Sequence, residues 1–133
     1  MNTVYAREDY LGADEYIDVV RKSGLERPIE DRGRVERMLA HANLILTARQ
    51  DGRLVGFARS LTDFCFCCYL SDLAVDKACQ GQGIGKRLIE ETRTAAGGAL
   101  TTTLLLSAPT AMTFYQGIKM PHADNCFLYR REK

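Results

Sequence analysis

Apolar residues recur along this chain with two different periods, and the switches between them mark out its elements. Residues 3–7 read as a short strand. Ala13, Ile17 and Val20 then fall three to four apart, the stripe of an amphipathic helix that Gly24 closes. Val35, Met38, Leu39 and Ala42 make a second stripe after the charged connection at residues 27–32. Residues 44–49 and 53–60 read as strands flanking Asp51 and Gly52, a pair suited to a two-residue hairpin. A polar turn near Asp63 leads into a strand over residues 65–75. Ile84, Leu88, Ile89, Thr92 and Ala95 return to helical spacing, and Gly97 with Gly98 ends that helix. Residues 100–106 read as a buried strand, and residues 125–130 as a last strand. Between them Ser107 can cap a short helix with Pro109 in its first turn.

The resulting order is β-α-α-β-β-β-α-β-α-β. It predicts an α/β (α+β) fold with a mixed central sheet flanked by helices. At 133 residues the chain is expected to be one domain, 1–133, long enough to bury a real core. A net charge of +1 gives no strong pull toward nucleic acid or an acidic membrane. No apolar stretch approaches the length of a membrane span. The N-terminal residues lack the blocks of a signal peptide, which predicts a cytoplasmic protein. The cysteines are odd in number, five, at positions 65, 67, 68, 79 and 126, so they form no disulfide framework. Strand alternation puts Cys65 and Cys67 on one face and Cys68 on the other. They are expected to be small buried apolar side chains in a reducing compartment. No metal site is expected, because only His41 and His122 could assist such poorly spaced ligands.

The most informative residues are Gln80, Gly81, Gln82, Gly83, Ile84 and Gly85. They follow a strand and open a helix. Alternate glycines let a backbone turn tightly and expose its N–H groups, and the helix behind adds the positive end of its dipole. That combination cradles a phosphate or pyrophosphate. A Walker A loop is excluded: Arg87 stands where the Mg²⁺-binding hydroxyl should be, and Gln80 where the first glycine should be. A Rossmann fingerprint has different glycine spacing.

What fits is Gln-x-x-Gly-x-Gly, with Gln80, Gly83 and Gly85. This resembles the acetyl-CoA signature of the GNAT superfamily of N-acetyltransferases, and the preceding Asp72-Leu73-Ala74-Val75 resembles the strand end before it. The element order is also that of the family. A second landmark, Ala111 to Tyr115, resembles the family's Asn-x-x-Ala-x-x-Phe-Tyr element, although Ala108 replaces the Asn. The Gly-Phe that usually follows is Lys119-Met120 here.

The resemblance implies a set of roles. Acetyl-CoA would lie with its pyrophosphate on Gln82 to Gly85, with Gln80, Gly81, Lys86 and Tyr115 as further cofactor contacts, and its pantetheine arm along Leu73, Ala74 and Val75, like an added strand. Leu73 matches the backbone N–H that polarises the thioester carbonyl. Tyr115 matches the general acid that protonates the departing thiolate. The family's frequent Glu base falls on Tyr69, so a water relayed by Tyr69 or Ser71 is the expected route for the amine proton. Asp72 would point to the opposite face unless a bulge re-aims it. Lys77, Lys86 and Arg87 could attract the cofactor phosphates, or could be a solvated basic helix start. The acceptor would be a small-molecule or peptide amine, met between the first two helices. The alternative reading is a CoA-binding regulatory module without turnover. A last strand at a sheet edge would invite a second copy, which predicts a non-covalent homodimer.

Overall fold

The computed structural model describes residues 2–133. Five strands form one sheet in the order β1-β2-β3-β4-β5. They are β1 (Val4–Arg7), β2 (Leu44–Gln50), β3 (Arg53–Thr62), β4 (Cys67–Val75) and β5 (Thr102–Leu104). The helices are α1 (Ala13–Ser23), α2 (Arg32–His41), α3 (Ile84–Ala95) and α4 (Met112–Gly117). The first four strands pair antiparallel, and β4 with β5 runs parallel.

Each element follows from local chemistry. Asp51 (φ 52°) and Gly52 (φ 78°) both take positive φ, as the expected β2–β3 hairpin requires. Helix α1 carries Asp14 and Glu15 in its first turn and Arg21 and Lys22 in its last, matching its dipole at both ends. Val19, Val20 and Tyr16 on α1, with Val35 and Leu39 on α2, pack on one face of the sheet against Ile45, Leu54, Phe57 and Ala74. Ile84, Leu88 and Ile89 of α3 pack on the other face against Leu44, Leu46, Val55, Ala58 and Leu70. The domain is thus three layers with a core on each side of the sheet. Removing a fully buried side chain such as Leu88 from such a core costs about 2–5 kcal/mol.

Three expectations are corrected on the second half of the sheet. Strand β4 starts at Cys67, not at residue 65, because Asp63 accepts from the N–H groups of Cys65, Phe66 and Cys67 and folds them into a turn. Those three donors, Cys67 foremost, hold the Asp63 carboxyl at about 2. The run at 100–106 is not buried: only Thr102–Leu104 is strand, and Leu100, Leu104 and Leu106 are exposed at the sheet edge. The element order holds through α4, but residues 125–130 form no strand. They run as an irregular exposed segment, with Phe127 98 % accessible, so the edge on which a dimer was expected is not formed.

The cysteines divide as well. Cys68 and Cys79 are buried as expected, whereas Cys65, Cys67 and Cys126 are exposed. Cys65 sits in the Asp63 turn and Cys126 in the irregular segment, so neither meets a packed face. Likewise Ser107 caps nothing; Ala108 occupies the cap position of a 3₁₀ turn, Pro109–Ala111, that leads into α4.

Candidate active site

The central feature of the site is an irregularity in β4. Arg59 pairs with Asp72, but Ser60 pairs with Leu70, leaving Ser71 as an extra residue. A bulge of this kind exchanges the faces of everything beyond it. Cys68 and Leu70, before the bulge, pack on the α3 side. After it, Ala74 packs on the α1/α2 side, and Leu73 and Val75 take over the α3 side. Simple alternation would place Tyr69, Ser71 and Leu73 on one face. The bulge instead puts Tyr69 and Leu73 on opposite faces and turns Asp72 toward α1.

Beyond the bulge, β4 has a free edge. Asp76 N–H donates to Val55 O at 2.8 Å. Antiparallel ladders alternate bonded and unbonded pairs. Stepping back from that bond, Ala74 and Asp72 face β3 with their hydrogen-bonding groups, and Leu73 and Val75 turn theirs away. Strand β5 reaches only as far as Tyr69, so among the described residues no strand covers that outward side of Leu73. The Gln80 side chain donates to Val75 O at 3.1 Å and closes the end of the gap.

The glycine loop sits at this end. Gly83 is the N-cap of α3 in the left-handed region (φ 79°), and no side chain caps the helix. The first intrahelical bond is Arg87 N–H to Gly83 O, which leaves the N–H groups of Ile84, Gly85 and Lys86 without intrahelical acceptors. Gln82 is held by Gln50, whose Nε2 donates to Gln82 Oε1 at 3.2 Å. A Cβ on Gly83 would meet nothing within 4 Å, so the space in front of the loop is open. Gly85 has a different purpose. A Cβ there would lie 2.9 Å from Phe114 Cζ, so this glycine admits α4 against the start of α3.

Of the three basic residues near the loop, two are engaged elsewhere. Arg87 donates to Glu91 at 2.7 Å and lies over the Tyr5 ring. Lys77 extends toward Gly24, at the C-terminal end of α1. Lys86 is exposed and makes no ion pair among the described residues.

Docking of α4 positions Tyr115. Its ring packs edge-on to Phe114 at 5.0 Å and against the α3-side core, on which Leu73, Val75 and Ile118 also pack. Burial raises the phenol above its usual value of 10, with the Arg27 charge opposing weakly, so it stays protonated at neutral pH.

The opposite face of β4 carries a buried ion cluster. Asp72 is fully buried. Arg59 Nε donates to its Oδ2 at 2.6 Å, Arg27 Nε to its Oδ1 at 2.7 Å, and Tyr16 Oη to its Oδ2 at 2.7 Å. Burial opposes the Asp72 charge, but the bonds and charge of Arg59, then of Arg27, outweigh it and hold the carboxyl below its usual range. Burial and the Asp72 charge push the Tyr16 phenol strongly up, so it remains a donor. Ser71 belongs to the same cluster: its hydroxyl accepts from Arg59 Nη2 at 3.0 Å and donates to Asp72 Oδ1 at 3.3 Å. Tyr69 lies apart from this cluster, along a groove lined by Leu106, Leu128 and Tyr129. Among the described residues no three metal-binding side chains converge.

Arg59, Tyr16 and the clamping role of Arg27 carry no sequence motif. The nearest thing to a signal was an arginine at an otherwise buried strand position between Phe57 and Leu61.

Comparison with known proteins agrees with this geometry. The family model for the acetyltransferase (GNAT) domain matches residues 18–118. An uncharacterized N-acetyltransferase, ycf52, of Porphyra purpurea is 31 % identical over 100 residues, covering 69 % of this chain and 54 % of that protein. The chain spans about half the length of the curated relatives it matches. A GNAT family protein of Streptococcus pneumoniae, SP0256, superposes with a TM-score of 0.78 at 18 % identity over 99 % of this chain and 100 % of that one. An aminoglycoside N-acetyltransferase, AAC(6')-Iy, solved with CoA, gives 0.71 at 15 % identity over 99 % and 96 %. At these identities the structural likeness concerns the fold. The chain belongs to the GNAT family of acetyltransferases.

Proposed function

We propose that the chain is an acetyl-CoA-dependent N-acetyltransferase, moving an acetyl group to a primary amine by direct attack in a ternary complex. One observation carries this reading. The edge of β4 beyond Tyr69 is left uncovered by β5, and the uncapped start of α3 receives Phe114, the neighbour of Tyr115, at Gly85. The fit to acetyl-CoA rests on the same features. The loop offers unpaired N–H groups, open space in front of Gly83 and an exposed lysine at the helix start.

In this reading Gly81, Gln82, Gly83, Ile84, Gly85 and Lys86 hold the pyrophosphate, with Gln80 bracing the loop against Val75. Leu73, Ala74 and Val75 line the arm, and the outward Leu73 N–H donates to the carbonyl oxygen as charge develops there. When bound, acetyl-CoA supplies an acyl group whose C–S bond breaks as the new C–N bond forms. Tyr115 holds the proton that the leaving sulfur takes. Asp72 is no base: it is buried, and two guanidiniums hold it ionised. Ser71 is committed within that cluster, so the amine proton passes to solvent at the mouth near Tyr69, or the amine arrives neutral.

The test is direct. Gly83→Val puts a branched side chain at positive φ in the open space before the loop. Calorimetry is expected to show CoA affinity falling at least about tenfold. Equal affinity in both proteins would remove the loop from the cofactor site. Turnover of any amine by the unmodified protein separates the enzyme from a CoA-binding module without activity.

A further inference from the structure

The ion cluster on the acceptor side of β4 does not balance. Two guanidiniums, Arg27 and Arg59, meet one carboxylate, Asp72, so the group carries one net positive charge (+2 − 1). Tyr16 and Ser71, its other members, are neutral donors and acceptors. Arg59 is sealed: its side chain is 8 % exposed and its three nitrogens bond Asp72, Met38 O and Ser71 Oγ. The surplus charge therefore reaches solvent only through Arg27, whose side chain is 23 % exposed.

Arg27 is held rigidly. Its Nε donates to Asp72, Nη1 to Glu26 O at 2.6 Å and Nη2 to Ser71 O at 2.7 Å. A guanidinium has five N–H donors in a planar fork, so one on each terminal nitrogen is left over. Among the described residues no carboxylate other than Asp72 pairs with it. Glu26 and Glu30 nearby are exposed and make no ion pair there. The guanidinium is also close enough to Tyr115 for its charge to act on that phenol.

We propose that Arg27 is the acceptor anchor, taking a carboxylate that the substrate carries close to its amine, so that the preferred acceptors are small amino acids. This rests on the N-acetyltransferase reading above. The placement of Arg27 supports the proposal. Its guanidinium grips the carbonyl of Ser71, the bulge residue two positions before Leu73. An attacking nitrogen sits about 3–3.5 Å from the carbonyl carbon it attacks. A carboxylate one or two carbons from that nitrogen is the group that would take the two spare N–H donors, as charge-assisted hydrogen bonds of ~2.8 Å. A simple amine leaves the anchor unused, and a polycation is repelled by it.

The experiment compares acceptors that differ only by the carboxylate: alanine with ethylamine, tyrosine with tyramine, tryptophan with tryptamine, lysine with cadaverine. Specificity kcat/KM is measured at saturating acetyl-CoA for the unmodified chain, Arg27→Gln and Arg27→Lys. Binding of N-acetylalanine and of N-ethylacetamide to the protein–CoA complex is measured by calorimetry, which needs no turnover. Thermal melting checks that both variants fold.

The amino acid of a pair is expected to be preferred at least about tenfold, the size of one charge-assisted contact. Arg27→Gln should erase the preference, with a larger loss on the amino acid of each pair than on its simple amine and with CoA affinity within about twofold, and Arg27→Lys should keep part of it. Equal losses on both members of each pair would make Arg27 a structural clamp and overturn the proposal. So would acetylation of amines without any preference, which leaves the N-acetyltransferase reading standing. If no amine is acetylated yet N-acetylalanine binds through Arg27, the anchor stands and the reading of turnover falls. If neither turnover nor product binding occurs in a chain that binds CoA, both fall.

Discussion

Along the outward edge of β4 and the start of α3, the proposed cofactor side, the surface is backbone: glycines, an uncapped helix and a strand edge with its N–H groups turned outward. On the face toward α1, the proposed acceptor side, it is side chain: two arginines, a tyrosine and a serine locked around one buried carboxylate. The first kind of surface gains its binding power from groups left unpaired. The second gains its shape from paired groups, with two N–H donors of Arg27 left over. A substitution on the first side should therefore change binding with little change in stability, and one at the buried carboxylate of the second side should do the reverse.

Asp72→Asn should break that contrast most visibly. It leaves two partly or fully buried guanidiniums short of a counter-charge, a change that costs about 3–5 kcal/mol when a buried pair is broken. The same residue fixes an acid response. Its carboxyl lies below the unfolded value near 3.8, so its contribution is complete above that pH and disappears as pH falls through the lower folded value. Urea unfolding followed from pH 7 to pH 3 should show the original chain losing stability below about pH 4. The variant should be weaker throughout and lack that component. A variant as stable as the original would mean that the cluster is not a structural element.

Tyr115→Phe should have the next largest effect, and on rate alone. It keeps the ring that packs on Phe114 and removes the proton donor. A kcat about 10²-fold lower with unchanged CoA affinity is expected from steady-state kinetics and calorimetry. An unchanged kcat would assign the proton to solvent.

Gly85→Ala sharpens the comparison at its smallest scale, because it sits at the loop but acts on α4. The new methyl would press on Phe114 and shift α4, carrying Tyr115 with it. A several-fold fall in kcat with CoA affinity within about twofold is expected. A loss confined to CoA affinity would show that Gly85 serves the cradle and not the helix contact.

The same contrast explains what could be read in advance. Glycine positions declare backbone conformation in the residue type itself, so Gly81 and Gly83 marked the turn into α3 and, with Gln80, Gly85 and Tyr115, the family. Helical stripes on α1, α2 and α3 were legible for the same reason, since each is a local period. The Asp72 cluster joins residues 16, 27, 59, 71 and 72, ordinary one by one and distant in the chain, so only folding brings them together. Residues 126–129 make an apolar, aromatic-rich run like a strand, but pattern alone supplies no neighbour to pair with, and none is present among the described residues. Strand β5 was read as buried because leucine content does not tell an edge from a centre.

Ser71 gives β4 something like a reading frame. Upstream of it, even-numbered side chains belong to one core; downstream they belong to the other. The shift is in the numbering and not in space: pairing resumes at Arg59 with Asp72 as though Ser71 were an insert. A chain lacking Ser71 would run as a regular ladder, with Asp72 and Ala74 still toward α1 and Leu73 and Val75 still on the α3 side. Among relatives of this chain, a one-residue gap between Leu70 and Asp72 would therefore mark a protein that keeps both faces of β4 but has lost the hydroxyl and carbonyl that Arg59 and Arg27 grip.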